Sequence, residues 1–433
     1  MKKMLLIILA CLAALIQAHE YRVYLQPFQG TRLFAGETEL AYRVVERDNS
    51  SAFVSFSHTD TQIILRASHD GYADSQVAAL AGTLRFVILD KPDAPFVFEN
   101  AFPTGTQPKS VTFIDNVRVI VPLLAGNGAE VINVVSGERH LLPLPGRYPR
   151  QQGFVEALIL AHRNEIWISQ MFTASIHIYD LQTLDYKRTI NTTGNLSKVL
   201  AYNPVLDRVF FTHWLSEDVS IINPSTYQEE QRVRYGAVPR GLTFSSDGAY
   251  MYLAQYELAG RSVCQVLKIN LATLAVEARL GALGAKRHIV KDEERQLMFV
   301  SDMARNTVEV YNMTTDSLVR TIRVYDKPNT IVLSPDRRYL FVSCRGPNHP
   351  TLDYLHKGLV MGQVHMIDTR NFETVAVWEG GNQPTGLDIS PNGQRMVFSD
   401  FLDHRIRVYR RVEAEQAALN YWLAGTASGH SED

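Results

Sequence analysis

The feature that most constrains the fold is a repeated phrase. The stretch "DKPNTIVLSPDRRYLFVSC", residues 326–344, is followed by the similar "NQPTGLDISPNGQRMVFSD", residues 382–400. Seven copies align on their first apolar residue, at intervals of 47, 42, 42, 47, 42 and 56 residues: Val111, Leu158, Leu200, Leu242, Ile289, Ile331 and Leu387. A period of about 40 residues is typical of repeat proteins in which each unit is one supersecondary element.

Each unit has the same internal pattern of runs and turns. An apolar run is followed by a turn such as "SPDRR", a β-branched and aromatic run such as "YLFVS", an alternating run such as "TVEVYN" and a fourth run such as "TVAVWE". Period-two alternation between turn residues predicts four antiparallel strands per unit. Because one such sheet cannot bury both of its faces, seven are predicted to pack radially into an all-β, seven-bladed propeller.

The seventh unit is one strand short. After "RIRVYRR" the chain enters a helix-like tail, residues 412–433. The earlier segment "PFVFENAFPTGTQP", residues 95–108, has the pattern that precedes the seventh unit. We therefore expect a strand around Phe96 to Phe98 to complete the seventh sheet and close a propeller of residues 94–411, which leaves no open sheet edge.

Three of the second runs carry a resemblance to a known family. The stretches "RRYLFVSC", "QRMVFSDF" and "RQLMFVSD" resemble the Tyr-Val-Thr-Asn (YVTN) β-propeller repeat, and residues 95–411 are similar to the YncE-like family of exported bacterial proteins. The resemblance implies the architecture and export. It implies no single activity, because the fold is shared by surface and periplasmic binding proteins, sugar lactonases and subunits of some redox enzymes.

Two segments precede the predicted propeller. Residues 1–18 have a basic start, a short apolar run and a small residue at Ala18, which predicts a secretory signal peptide and a periplasmic or cell-surface location. A lipoprotein signal at Cys11 would have too few apolar residues before the cysteine. Residues 19–93 read as a small β-sandwich of five or six strands, faintly similar to immunoglobulin-like (Ig-like) modules. An irregular extension packed on the propeller is the alternative.

Charge and cysteine content exclude several classes of protein. Without the predicted signal peptide the chain has 41 basic and 45 acidic residues, a formal charge of −4, which disfavours a general nucleic-acid or membrane-surface binder. No second apolar run predicts a transmembrane segment. Cys264 and Cys344 lie in different units, so no disulfide framework is predicted, and the absence of Cys-x-x-Cys-His excludes covalent c-type haem. The sequence predicts no cofactor.

The candidate site lies where the seven sheets converge. In a propeller the innermost strand begins, and the second strand ends, on the face that surrounds the channel mouth. The residues two positions before the aligned apolar residues form a first ring at this mouth. Four of its seven members are cationic, in an acidic chain: Lys109, Glu156, Lys198, Arg240, Arg287, Asn329 and Thr385.

A second ring ends the second strands: Pro122, Gln170, His213, Gln255, Asp302, Cys344 and Asp400. Cations, hydrogen-bonding groups and aromatic walls are the mixture that a small-molecule site needs. From the two rings and their neighbours we predict these ligand-binding residues: Lys109, Lys198, Arg240, Arg287, Asn329, His213, Trp214, Gln255, Tyr256, Asp302, Arg345 and Asp400. The alternative is structural, with Asp302 or Asp400 paired to a nearby arginine, because buried charges are normally paired.

The longest interval in the repeat locates an insertion loop. Residues 345–362, "RGPNHPTLDYLHKGLVMG", lengthen the connection between the second and third strands of the sixth unit. Long loops on a rigid scaffold commonly serve as lids or partner contacts, so we expect this loop at the mouth. A surface insertion without a role is the alternative.

These observations favour a binding or protein-interaction module over an enzyme. The predicted partner is an anionic small molecule or an acidic peptide segment, and no catalytic residue is predicted. The alternative is a hydrolase or lactonase-like enzyme with a channel metal held by a set of polar residues: Glu156, His213, Asp302, Asn329 and Asp400. Four cations nearby argue against that metal, because they repel another cation in a low-dielectric channel.

Overall fold

A computed structural model describes residues 18–47, 51–145 and 153–412. The chain forms two compact units, one of residues up to Phe98 together with those from Val412, and one of Glu99–Arg411. Apart from a 3-10 turn at Ala161–Arg163, the regular elements of this part of the chain are β-strands. None of its helices is long and apolar enough to cross a membrane. The predicted signal peptide and helix-like tail fall almost entirely outside the described residues.

The described part of the first unit contains eight complete strands: β1 (His19–Gln26), β2 (Arg32–Ala35), β3 (Thr38–Glu39), β4 (Arg43–Arg47), β5 (Ala52–His58), β6 (Gln62–Ser68), β7 (Ser75–Leu80) and β8 (Leu84–Ile88). They form two four-stranded sheets, β4-β5-β1-β8 and β3-β2-β6-β7. Period-two burial explains the shared core, since Val23 of β1, Val54 of β5 and Leu65 of β6 pack into one apolar cluster.

The number of strands in this unit exceeds the five or six predicted. The stretch "TELAYRVVE", read as one strand, is divided into β3 and β4. The short β2 and β3 carry too few residues to show an alternating pattern. A relation to Ig-like modules, and the domain boundaries drawn from the sequence, stay predictions.

The propeller has seven four-stranded blades. Blades 1 to 3 are β10 (Thr112–Phe113), β11 (Arg118–Pro122), β12 (Gly128–Asn133), β13 (Arg139–Pro143); β14 (Phe154–Leu160), β15 (Glu165–Gln170), β16 (Ser175–Asp180), β17 (Tyr186–Asn191); and β18 (Ser197–Asn203), β19 (Arg208–His213), β20 (Asp218–Asn223), β21 (Gln228–Arg234). Blades 4 and 5 are β22 (Pro239–Phe244), β23 (Tyr250–Gln255), β24 (Cys264–Asn270), β25 (Val276–Gly284); and β26 (Lys286–Asp292), β27 (Leu297–Asp302), β28 (Thr307–Asn312), β29 (Ser317–Arg323).

The last two blades follow the same order. Blade 6 is β30 (Pro328–Leu333), β31 (Tyr339–Cys344), β32 (Gln363–Asp368) and β33 (Glu373–Glu379). Blade 7 combines β34 (Pro384–Ile389), β35 (Arg395–Asp400) and β36 (Arg405–Arg411) with β9 (Phe96–Pro103), which comes before blade 1 in the chain. The predicted closure by an N-terminal strand is therefore confirmed, and the insertion loop connects β31 to β32.

Contacts across blade 7 show why this closing strand belongs there. Glu99 of β9 receives two hydrogen bonds from Arg395 of β35, at 2.8 and 3.0 Å. Phe102 packs in one apolar cluster with Val397 and Ile406 of the same blade. The two ends of the propeller are thus joined by pairing, charge and apolar burial, and the ring has no unpaired edge at this point.

Candidate functional site

A recurrent β-bulge positions the first ring. In blades 2 to 7 the pairing between the first and second strands shifts register at or beside the first-ring residue; in blade 4, for example, Pro239 pairs with Gln255 but Leu242 pairs with Leu253. The two residues inside this bulge, Arg240 and Gly241, have no partner in the ladder. Bulges bend a strand and redirect a side chain, so each blade presents its first-ring residue at the same end.

The serine of the repeated "FVS" phrase supports these bulges. In blade 5 the Ser301 hydroxyl accepts a hydrogen bond from the His288 backbone N–H at 3.1 Å, and it donates to the Asn329 carbonyl of blade 6 at 3.2 Å. Equivalent bonds to a bulge N–H are accepted in four other blades by Ser169, Thr212, Ser343 and Ser399. The serine or threonine of the repeated phrase therefore stabilises the bulge of its own blade and, in several blades, also bonds the first strand of the next blade.

A cavity of about 470 Å³ lies at this end of the propeller. We call it the mouth cavity, and its lining residues are Lys109, Trp214, Arg240, Tyr256, Glu257, Ser262, Ala285, Arg287, Met303, Ala304, Lys327, Arg345, Asn348 and Tyr354. Six of the twelve predicted site residues are among them: Lys109, Trp214, Arg240, Tyr256, Arg287 and Arg345. The volume is within the range of small-molecule sites.

Arg240 is the most unusual side chain of the cavity. It is only 8% exposed, and its guanidinium carbon lies 3.1 Å from the ring centre of Trp214 and 4.4 Å from that of Tyr256. Its Nε and Nη1 have no hydrogen-bond partner among the described residues. Burial, and then the charge of Arg287, hold the pKa of Arg240 well below its ordinary value. The positive charge is therefore held between two aromatic rings without a direct ion-pair partner among the described residues, although the more distant charge of Glu257 favours it.

In the described structure three further cations of the cavity contact neutral or aromatic groups and form no direct ion pair. Arg287 Nε donates to Asn329 Oδ1 at 2.6 Å, and Arg345 Nε donates to Gln383 Oε1 at 3.1 Å. Lys109 Nζ lies 4.2 Å from the ring centre of Phe401. Burial, followed by the charges of neighbouring cations, lowers the pKa of Lys109 well below its ordinary range. These side chains are buried together at an electrostatic cost that a bound anion would reduce.

Two other lysines at the mouth have carboxylate partners. Lys198 Nζ lies 2.7 Å from Glu156 Oε1, and Lys327 Nζ lies 2.7 Å from Asp326 Oδ2. Burial lowers the pKa of Lys198 to about 8, although Glu156 acts in the opposite direction. Lys198 is therefore ion-paired and does not belong to the cations that lack a carboxylate partner. Asn329, predicted as a ligand, holds Arg287 in place and donates in turn to the Thr385 carbonyl at 2.8 Å.

His213 and Gln255, two predicted site residues of the second ring, do not line the mouth cavity. His213 is buried, with Nδ1 bonded to the Ser197 hydroxyl and Nε2 to the Ser220 hydroxyl at 2.6 Å. Burial, then the charge of Arg232, lowers the pKa of His213 to about 3, so the ring is neutral. Gln255 Nε2 donates to the Gly236 carbonyl at 2.7 Å. Both side chains stabilise the backbone and strands of their own blades.

The two second-ring aspartates form buried ion pairs. Asp302 accepts a hydrogen bond from Lys286 Nζ at 2.7 Å. Asp400 accepts from Arg407 Nε at 2.6 Å and from Arg405 Nε at 2.9 Å. Both aspartates are therefore paired with cations inside the protein, which is the structural role given above as the alternative to ligand binding. Lys286 gave no signal in the sequence beyond its place beside Arg287.

The insertion loop supplies residues that the predicted set omitted. It contributes Tyr354 and Asn348 to the cavity lining. Two of its residues are held on blade 7, because Gln383 Nε2 donates to the Tyr354 carbonyl at 2.5 Å and Lys357 Nζ lies 3.1 Å from Asp403. The unusual length of the interval was the signal for this loop. Glu257, also omitted, directly follows the predicted Tyr256.

The residues proposed for a channel metal do not fit one. No three His, Cys, Asp or Glu side chains within the described ranges lie close enough to bind a metal ion together. Glu156, Asp302 and Asp400 each have a cation as partner. The cysteines give no alternative ligand or nucleophile, since both are buried and burial raises the pKa of the Cys344 thiol.

Comparisons with known proteins agree with the architecture. The family described as "Lactonase, 7-bladed beta-propeller" matches residues 189–420. The protein named "Antigen Lp49" of Leptospira interrogans serogroup Icterohaemorrhagiae serovar copenhageni (strain Fiocruz L1-130) is 41% identical over 397 residues. That alignment covers 89% of this chain and 87% of the antigen. A particular relation to the YVTN repeat or to YncE-like proteins stays a prediction.

Proposed function

We propose, from the premise that this chain belongs to the family of seven-bladed β-propellers described as lactonases, that its mouth cavity binds an anionic ligand. The observation that carries the proposal is Arg240, a buried guanidinium with two unpartnered nitrogens between Trp214 and Tyr256. Leaving such donors unsatisfied costs about 1–3 kcal/mol each, which an acceptor on a ligand would recover.

The chemistry of the cavity suits a carboxylate or a phosphate. Arginine can grip either group through two parallel hydrogen bonds, and Arg240 and Arg287 both line the cavity. The rings of Trp214 and Tyr256 provide apolar walls for the remainder of a small ligand. The chain then acts as a binding module in which the blades are the scaffold and the mouth cavity is the site.

A screen of anions against a double variant tests the proposal. Anionic metabolites and acidic peptides are added to the wild type and to Arg240→Gln/Arg287→Gln, and the melting temperature is measured. We expect some anion to stabilise the wild type, and the double variant to bind it about 2–4 kcal/mol more weakly. The exposed Arg261, next to the cavity residue Ser262, gives the control Arg261→Gln. An unfolded double variant together with no stabilising anion would show that these arginines are structural.

Export is part of the proposal. The signal-like residues 1–18 support it, and a relative named as an antigen is in keeping with a periplasmic or cell-surface protein. Mass spectrometry of the mature amino terminus tests this point. We expect the chain to begin at His19, and a retained Met1 would contradict export through a cleaved signal.

Lactone hydrolysis is the second candidate function, and the family description favours it. A carboxylate that can activate water, Glu257, lines the same cavity as Arg240 and Arg287, which could stabilise a developing oxyanion. Acid release from a panel of lactones measures the activity. A hydrolase would lose it in Glu257→Gln, whereas a binding module shows none in the wild type and still binds anions in the variant.

A further inference from the structure

We infer that the mouth cavity selects a small molecule with two separate acidic groups. This inference rests on the proposed function, because it specifies what kind of anion the same cavity takes. It follows from the number of uncompensated cations and from their division around two aromatic rings.

The charge of the cavity exceeds what one acidic group can offset. Four cations line it without an ion-pair partner among the described residues: Lys109, Arg240, Arg287 and Arg345. Glu257 is the one carboxylate among the described lining residues, and the remaining lysine of the lining, Lys327, is paired with Asp326. When all four cations are protonated, three positive charges therefore remain, and a monovalent anion would leave at least two of them repelling each other in a partly desolvated space.

The four cations form two pairs, each gathered around one tyrosine ring. Arg240 and Arg287 lie 4.4 and 6.0 Å from the ring centre of Tyr256. Lys109 and Arg345 lie 5.8 and 5.2 Å from the ring centre of Tyr354. We call these the Tyr256 pair and the Tyr354 pair. One acidic group beside each ring would therefore lie near two cations.

The size of the space favours a free small molecule over a protein segment. A cavity of about 470 Å³ has room for a short chain with two terminal acidic groups. Met303, Ala285 and Ala304 provide apolar lining for the carbons between those groups. The insertion loop that carries Tyr354 is attached to blade 7, so the Tyr354 pair has a fixed partner ring.

Matched carboxylates that differ only at one end test the inference. The pairs are butyrate and succinate, hexanoate and adipate, and octanoate and suberate, with binding measured by calorimetry. We expect at least one dicarboxylate to bind the wild type ten or more times more tightly than its monocarboxylate. Lys109→Gln and Arg240→Gln, which weaken different pairs, should each reduce this preference to about twofold or less. Arg261→Gln, which removes an exposed charge next to the cavity, should retain it.

Each result separates this inference from the proposed function. If a monocarboxylate binds as tightly as its dicarboxylate, the cavity binds anions but does not select two acidic groups, and the inference is wrong. If none of the six compounds binds and the wider screen also fails, the proposed function is wrong as well. If an acidic hexapeptide binds and the dicarboxylates do not, the partner is a peptide and the inference is overturned. Two variants on separate pairs keep the test decisive if one of them does not fold.

Proton uptake gives a second readout. Because burial and then neighbouring cations lower the pKa of Lys109, a bound dianion should raise that pKa again and draw a proton from the buffer. Calorimetry of the preferred dicarboxylate in two buffers of different ionisation enthalpy, repeated over a series of pH values, measures this uptake. We expect it in the wild type and a smaller value in Lys109→Gln. Equal uptake in both proteins would contradict the role of Lys109 in the Tyr354 pair.

Discussion

Two buried lysines of the propeller are in opposite electrostatic situations. Lys286 of blade 5 is 0% exposed and lies 2.7 Å from both Asp302 and Glu309. Lys109, at the mouth, is 6% exposed, and its pKa is lowered by burial and by four neighbouring cations, with no anion among the causes. Burial is the same in the two regions, so burial alone does not identify a binding site. What distinguishes the mouth is that four of its cations have no ion-pair partner among the residues that the structure describes.

The difference has a physical basis. A buried charge is stable when hydrogen bonds and an opposite charge replace the lost water, as they do around Lys286. An unpaired buried charge costs folding free energy, and its persistence is understandable if a ligand supplies the missing partner. The paired region therefore serves the fold, and the unpaired region serves the proposed binding. Four predictions separate these roles.

The largest loss of stability is expected when the paired lysine, Lys286, is replaced. Lys286→Met should reduce the free energy of unfolding by about 3–5 kcal/mol, because it leaves two buried carboxylates without a cation. Lys109→Met should leave stability unchanged or raise it, since it removes repulsion among cations. Urea denaturation of both variants measures the difference. An equal loss in the two would mean that Lys109 is as structural as Lys286.

A half-buried carboxylate that forms no ion pair within the described ranges extends the comparison of lysines to acidic residues. Asp388 accepts backbone hydrogen bonds from Phe113 and Ile389, and burial raises its pKa from 3.8 to about 7. The folded chain thus keeps a proton that the unfolded chain releases above about pH 4. Its contribution to stability is complete below the unfolded pKa and is lost as the pH rises through about 7, by at most about 4 kcal/mol.

The variant Asp388→Asn isolates this contribution. An amide oxygen can still accept from Phe113, but it carries no titrating proton. Denaturation at pH 4.5 and pH 8 should show a smaller loss of stability in the variant than in the wild type. If both proteins lose the same amount, Asp388 does not retain a proton in the folded state.

A smaller effect, on the affinity for an anion, is expected when the aromatic wall of the mouth cavity is changed. Trp214→Leu removes the ring 3.1 Å from Arg240 and should weaken anion binding by about 1–2 kcal/mol, because the guanidinium loses a surface that orients it. Trp214→Phe keeps a ring and should retain most of the affinity. Calorimetry with the anion that gives the largest thermal shift compares the three proteins. Equal affinity in Trp214→Leu would show that the stack does not prepare the site.

The smallest effect is expected at an ion pair that is about one fifth exposed. Glu99 and Arg395 connect the closing strand to blade 7, and their side chains are 23% and 20% exposed. Solvent screens such a pair, so Glu99→Gln should cost about 1 kcal/mol or less. The loss in the free energy of unfolding should be well below the loss caused by Lys286→Met in the same urea experiment. A comparable loss would mean that exposure does not set the strength of these pairs.

Much of the site's position could be predicted from sequence. The repeat aligned the first ring, and its bulges place Arg240 and Arg287 at one end of the propeller. The insertion loop was recognised by its length, although its tyrosine was not selected as a site residue. The second ring was less informative about the site. Asp302 and Asp400 occupy repeat positions that hold neutral residues in the other blades. The repeat period does not show which cations pair with them.

The sequence by itself determined the architecture, since apolar periodicity and turn residues specify seven four-stranded units and the missing strand that Phe96–Pro103 supplies. Only the tertiary structure decided which charges are paired. Lys286 and Arg287 are adjacent in the chain, yet one reaches two carboxylates inside blade 5 and the other lines the mouth cavity. The reason is that a β-bulge directly after Lys286 redirects the side chain of Arg287, and that the partners of each residue come from other strands.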